Sequence, residues 1–211
     1  MIINVNKPSG WTSFDVVKKI RGIVNEKKVG HAGTLDPFAT GVLILGTGSD
    51  TKKLSNIASS NKTYIADLTL GIETDTLDCD GNIVSTNKTP ELSQKLVKDV
   101  LSKFKGVNKQ IPPMYSAKKV NGIRLYKLAR QNKTVERDPV DINILDIQLI
   151  KFKSSIITFK VKCSKGTYVR VLGVDIAKKL GTVGHLSSLI RTSIGSYNID
   201  ESKSIEEISA L

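Results

Sequence analysis

The spacing of apolar residues changes several times along the chain, and each change marks an element. Residues 2–5 predict a short strand that ends in the turn sequence Lys7-Pro8-Ser9-Gly10. Val16, Val17, Ile20, Ile23 and Val24 then recur at helical spacing behind a cap at Thr12 or Ser13, with Lys18, Lys19 and Arg21 on other faces. The result is a basic amphipathic helix over 13–25. Segment 27–41, KKVGHAGTLDPFATG, is dense in Gly and Thr and is read as an ordered loop docked on the core. It feeds into Val42-Leu43-Ile44-Leu45, an apolar run that predicts a buried strand.

Ser49 or Asp50 starts a short helix with Leu54, Ile57 and Ala58, and Tyr64, Ala66, Leu68 and Leu70 alternate as the buried face of a strand. An acidic loop, 73–80, precedes a helix opened by Thr89-Pro90 that carries Leu92, Leu96, Val97, Val100, Leu101 and Phe104. Asn121-Gly122 signals a hairpin joining Ser116–Val120 to Ile123–Leu125. Strands are expected over 140–150 and 156–163, with Ile157, Phe159, Val161 and Cys163 on one face. Gly166-Thr167 opens a helix that Gly181 stops, 186–199 reads as strand, and Ser204–Leu211 as a last short helix. Helices and antiparallel hairpins mix without βαβ alternation or a repeat. The class expected is therefore α+β, one domain built on a mixed sheet.

Charge points to a partner. Of 211 residues, 32 are Lys or Arg and 20 Asp or Glu, a formal net charge of +12 that favours polyanions. Aromatic residues make up 5% of the chain, too few for a surface that stacks many single-stranded bases. No apolar run reaches the ~20 residues of a membrane span. The N-terminus lacks a secretory signal pattern, so a cytoplasmic location is expected. The two cysteines, Cys79 and Cys163, and the two histidines, His31 and His185, do not stand at metal-ligand spacing, and no metal is expected. Gly46-Thr47-Gly48 lacks the third glycine of a dinucleotide loop, and Thr51-Lys52 lacks the glycine of a P-loop. Thr76–Gly81 has Asn87 where a calcium loop needs its bidentate Glu, and reads as a solvated acidic loop.

The segment GHAGTLDPFATGVLILG is richer in chemistry. Its glycines let the backbone approach another surface, Pro37 stiffens the turn after Asp36, and His31 stands five residues before that carboxylate. A carboxylate beside an apolar strand acts as a nucleophile if a cation keeps it ionised. Arg170, in GTYVR at the opening of a helix, is a candidate for that cation.

GHAGTLDPFATGVL (30–43), the Lys62-Thr63-Tyr64 strand, IPPMYSAKKVNGIRLYKLAR (111–130) and GTYVRVLGVDIAKKLG (166–181) together resemble the TruB family of bacterial tRNA pseudouridine-55 synthases. The likeness runs in order through residues 2–200. It implies the pseudouridine synthase fold, an α+β architecture with a mixed, largely antiparallel sheet flanked by helices. It also implies an enzyme, needing neither cofactor nor metal, that isomerises uridine 55 in the tRNA T-loop. By the resemblance Asp36 is the catalytic aspartate, Tyr64 the active-site tyrosine and Arg170 the arginine that pairs with the aspartate. His31 matches the histidine that enters the T-loop, and Tyr168 and Leu186 match positions lining the uridine pocket. Lys and Arg side chains of 13–25 and 118–130 are expected to hold phosphates of the T stem-loop. His185 is read as structural.

Members of the family continue into a small C-terminal RNA-binding module. Here residues 1–200 are read as the catalytic domain and 201–211 as a short C-terminal helix, with that module absent. A monomer is expected. The competing class is a non-catalytic RNA-binding protein or tRNA chaperone, which needs the basic surface but not Asp36. A base-removing glycosylase would use the same flipped nucleotide and a carboxylate.

Overall fold

A computed structural model describes residues 1–120 and 122–210. In chain order the elements are β1 (Ile2–Lys7), α1 (Ser13–Ile23), β2 (Val29–Ala32), β3 (Thr40–Thr47), α2 (Leu54–Ser59), β4 (Lys62–Leu70), β5 (Ile72–Thr74) and β6 (Ile83–Thr86). Then come α3 (Gln94–Ser102), β7 (Gly106–Gln110), β8 (Lys119–Val120), β9 (Ile123–Arg124), α4 (Leu125–Ala129), β10 (Val140–Lys153) and β11 (Ile156–Cys163). The chain closes with α5 (Val169–Lys179), β12 (Gly184–Ile194), β13 (Tyr197–Asn198) and α6 (Ile205–Ser209). They form two compact units, Met1–Ile65 with Leu189–Leu211, and Ala66–Ser188.

In the first unit β3 has β1 antiparallel on one side and β12 parallel on the other, with β2 antiparallel to its second half. The apolar run of β3 divides between two faces. Leu43 and Leu45 pack with Val16, Val17 and Ile20 of α1 and with Ile205 and Ile208 of α6. Val42 and Ile44 pack with Ala32, Leu54 and Ile194. A strand covered on both sides has no polar position to alternate, which is why its sequence lacks period two. Helix α1 starts where the sequence places it, because Thr12 and Asp15 form a reciprocal capping box.

In the second unit β10 pairs antiparallel with both β11 and β7. Ala66, Leu68 and Leu70 of β4 and Ile157, Phe159, Val161 and Cys163 of β11 are buried, the two alternating faces read from the sequence. Helix α3 lies against β10 and α5.

Four local expectations are corrected. Val29–Ala32 is a strand inside the segment read as loop, made possible because β3 offers it a free edge. The acidic loop is framed by the hairpin β5–β6. Helix α3 begins at Gln94 rather than at Pro90, because Ser93 accepts the Leu96 N–H and takes the cap. Leu125 opens α4 instead of closing a strand. Strands β8 and β9 pair as the hairpin signal requires; Asn121 and Leu211 lie outside the described residues. Among the described residues no helix is long and apolar enough to cross a membrane.

Candidate functional site

Asp36 sits at a tight turn in the first unit, where Ala39 N–H donates to Asp36 O at 3.1 Å. Its neighbours are held from several directions. Ser13, in the first turn of α1, accepts the Leu35 N–H at 2.9 Å and donates to Leu35 O at 3.1 Å. Pro37 O accepts from Gly10 N at 2.9 Å and from Lys7 Nζ at 3.1 Å. Lys7 is fully buried, and its ammonium also donates to Pro8 O at 2.8 Å and Trp11 O at 2.6 Å. Ser9 Oγ reaches Phe38 O at 3.3 Å. The half-buried Asp36 carboxylate therefore rides on a backbone whose orphan groups are satisfied by fixed partners.

The turn needs its glycines. Gly41 has φ +98°, and a Cβ there would collide with Arg191 O, where β3 and β12 pair. Arg191 itself is buried and donates to carbonyls on both sides of the turn. His31 lies on β2 opposite Leu45. Its Nδ1 is buried without a hydrogen-bond partner among the described residues. Burial, and then the positive charge of Arg191, push the imidazole below its ordinary value, so it is held neutral. Tyr64 belongs to the buried face of β4, between Lys62 and Ala66. Lys62 is buried too, its ammonium bound to Ala58 O at 2.5 Å and Ser60 O at 2.7 Å.

The second unit carries Arg170, Tyr168 and Leu186. Arg170 is 2% exposed in the first turn of α5, where a cation opposes the helix dipole. Its guanidinium donates to Thr76 O at 2.5 Å and Tyr115 O at 2.8 Å, and its Nε lies 3.5 Å from Asp78 Oδ2. The Asp78 carboxylate also accepts from Thr76 Oγ1 at 2.5 Å and Asp80 N at 3.1 Å. The segment read as a solvated acidic loop thus contributes a buried anion to Arg170. Tyr168, half-buried, precedes α5, and Gln110 of β7 grips its backbone twice: Oε1 accepts the Tyr168 N–H at 2.8 Å and Nε2 donates to Tyr168 O at 3.1 Å. Leu186 is wholly buried and meets α5 at Gly173, where a Cβ would come within 2.8 Å of Leu186 Cδ2. His185, expected to be structural, has Nδ1 2.9 Å from Ile72 O.

Sequence reasoning gave Lys7 only a turn and Ser13 only a cap, and passed over Gln110 and Arg191. Each binds backbone, so no motif of side chain against side chain signals it; a lysine, two polar residues and an arginine at apolar positions were the available hint. Among the described residues no cluster of His, Cys, Asp and Glu is arranged to hold a metal ion. The Cys79 thiol, though exposed, is pushed up by partial desolvation and by Asp80 and Asp78, which disfavours its thiolate.

Comparison with known proteins supplies the context. Residues 21–169 match the family described as TruB family pseudouridylate synthase (N terminal domain). The chain is 48% identical over 207 residues to tRNA pseudouridine synthase B of Hydrogenovibrio crunogenus, covering 98% of this chain and 68% of that protein. It is likewise 48% identical over 208 residues to tRNA pseudouridine synthase B of Caldanaerobacter subterraneus, covering 98% of this chain and 73% of the relative. Among solved structures it is similar to a chain of a Cbf5-Nop10-Gar1 complex, with TM-score 0.79 and 27% identity over 99% of this chain and 53% of that one. It therefore spans about half the length of that structural neighbour. The fold is α+β with a mostly antiparallel sheet, as expected, and it is the fold of the pseudouridine synthases.

Proposed function

The chain belongs to the TruB family of pseudouridylate synthases, and from that premise we propose that it isomerises uridine 55 in the T-loop of tRNA to pseudouridine. The observation that carries this reading is the fixed turn at Asp36: a carboxylate on a backbone tied at Leu35 and Pro37 is held ready before substrate arrives.

The atom balance sets the demands. The N1–C1′ bond breaks, the uracil turns, a C5–C1′ bond forms, the C5 proton leaves and N1 gains one. Substrate and product are isomers, so neither a redox equivalent nor a water is consumed. Asp36 is assigned as the carboxylate that promotes bond cleavage. Arg170 is assigned as the cation of the site; its fork of donors suits a carboxylate, and its own pocket of carbonyls and Asp78 keeps it ordered. Tyr64 offers a flat face to the base and a phenol for proton movement. Tyr168 and Leu186 are assigned to the uridine pocket.

The target base must leave its stack, at a cost of a few kcal/mol. His31, held neutral, is assigned to fill the vacated place. The exposed Lys18, Lys19 and Arg21 of α1, and the exposed Lys119, Arg124, Lys127 and Arg130 of 118–130, are suited to phosphates of the T stem-loop. This reading places a monomer in the cytoplasm, where its tRNA substrate is found.

Incubation with unmodified full-length tRNA, followed by base-resolved mapping of pseudouridine, tests the assignment. Product at position 55, and none when that uridine is replaced by cytidine, is expected. Product at another position overturns the positional reading, and release of free uracil would make the protein a glycosylase instead.

A further inference from the structure

The turn that carries Asp36 is stapled at both ends by one side chain from outside it. Arg191, on β12, is 1% exposed. Its Nε donates to Val42 O at 2.7 Å, Nη2 to Gly33 O at 3.0 Å and Nη1 to Thr34 O at 3.5 Å. Gly33 and Thr34 precede Asp36 and Val42 follows it, so one planar guanidinium spans the base of the turn. We propose that Arg191 is a positioning residue for the reaction, its fork of donors setting the backbone of residues 33–42 and thereby the place of the Asp36 carboxylate.

Three observations support this role, which rests on the reading of Asp36 as the catalytic carboxylate. The first is cost. Among the described residues the hydrogen-bond partners of the Arg191 guanidinium are backbone carbonyls, and a cation buried on dipoles alone is a poor way to stabilise a core. The second is flexibility. The ends of the turn are Gly33 at φ +74° and Gly41 at φ +98°, conformations that free a chain to pivot unless something outside restrains it. The third is division of labour. Ser13, Lys7 and Gly10 grip Leu35 and Pro37 at the tip, whereas Arg191 reaches both ends. A lysine could not substitute, since a single ammonium presents no planar fork for three carbonyls.

The test compares Arg191→Lys and Arg191→Gln with the wild type in single-turnover conversion of a T stem-loop. A misplacement of about 1 Å costs on the order of 10²-fold in rate, and about that loss is expected for both variants. The stem-loop Kd is expected to stay within about threefold, because the basic surfaces are untouched. Nuclear magnetic resonance titration of His31 adds a readout that separates loss of the charge from loosened packing. Burial is the larger cause of its lowered pKa, so a packing defect raises it in both variants, and that result would overturn the positioning role. The His31 pKa is expected to rise in Arg191→Gln, which removes the neighbouring charge, and to stay low in Arg191→Lys. If Arg191→Gln fails to fold, the rate of Arg191→Lys decides. Full rate per folded molecule in Arg191→Lys, with wild type active and Asp36→Asn silent, overturns this proposal alone. Inactive wild type, or full rate in Asp36→Asn, overturns the functional reading and this proposal together.

Discussion

Ser13 and Leu35 exchange two hydrogen bonds through one hydroxyl: Ser13 Oγ accepts the Leu35 N–H at 2.9 Å and donates to Leu35 O at 3.1 Å. Helix α1 thereby fixes the residue immediately before the candidate catalytic carboxylate. Ser13→Ala leaves a buried N–H and a buried C=O without this partner, each worth about 1–3 kcal/mol. A fall in stability of about 2–4 kcal/mol is expected in urea denaturation, together with a slower chemical step. An unchanged midpoint would show that the contact carries no weight.

Two glycines of positive φ separate backbone strain from crowding. Gly10 has φ +78° and open space for 4 Å around the place a Cβ would take, whereas Gly41 has φ +98° and Arg191 O standing in that place. Gly10→Ala is expected to cost about 1–2 kcal/mol, the strain alone. Gly41→Ala forces β3 and β12 apart and is expected to cost more than Gly10→Ala by denaturant midpoint. Equal losses at the two positions would contradict the close approach.

His31 makes stability depend on pH with a definite sign. Burial and Arg191 lower its pKa in the folded protein below the ordinary 6.5, so the unfolded chain binds the proton more readily. The contribution of His31 is present above pH 6.5 and is lost as pH falls below it. The difference in unfolding free energy between wild type and His31→Leu is therefore expected to shift against the wild type as pH falls from about 7.5 to about 5. A difference that stays flat across this interval removes the account of a partly buried neutral imidazole.

Gln110 is expected to matter through Tyr168. Gln110→Ala removes an acceptor and a donor from the Tyr168 backbone at the start of α5. About 1–2 kcal/mol of stability should be lost, with a rise in KM as Tyr168 loosens. Loss of stability with kinetics unchanged would detach Tyr168 from the substrate.

Legibility in the sequence follows what each element depends on. Helix α1 could be read because its cap, Thr12 with Asp15, and its apolar face are local. Strand β11 could be read because Ile157, Phe159, Val161 and Cys163 alternate cleanly. Strand β2 could not, since Val-Gly-His-Ala has little strand preference and is extended only because β3 lies beside it. The start of α3 went astray because Pro90 and Ser93 both signal a beginning and only the Ser93 hydroxyl meets a free N–H. The residues proposed for the chemistry were legible through the resemblance of four motifs. Their supports, Lys7, Arg191 and Gln110, were hidden because a side chain that binds carbonyls leaves no partner in the sequence to be matched with.

The assignment of Asp36 meets its sharpest test in tritium release from a T stem-loop labelled at C5 of uridine, with wild type and Asp36→Asn compared under single-turnover conditions. The amide keeps the shape of the side chain and removes the carboxylate. Release with pseudouridine as product from the wild type, and binding without release by Asp36→Asn, is the predicted result. Equal release from both proteins, or binding without release by both, would contradict it.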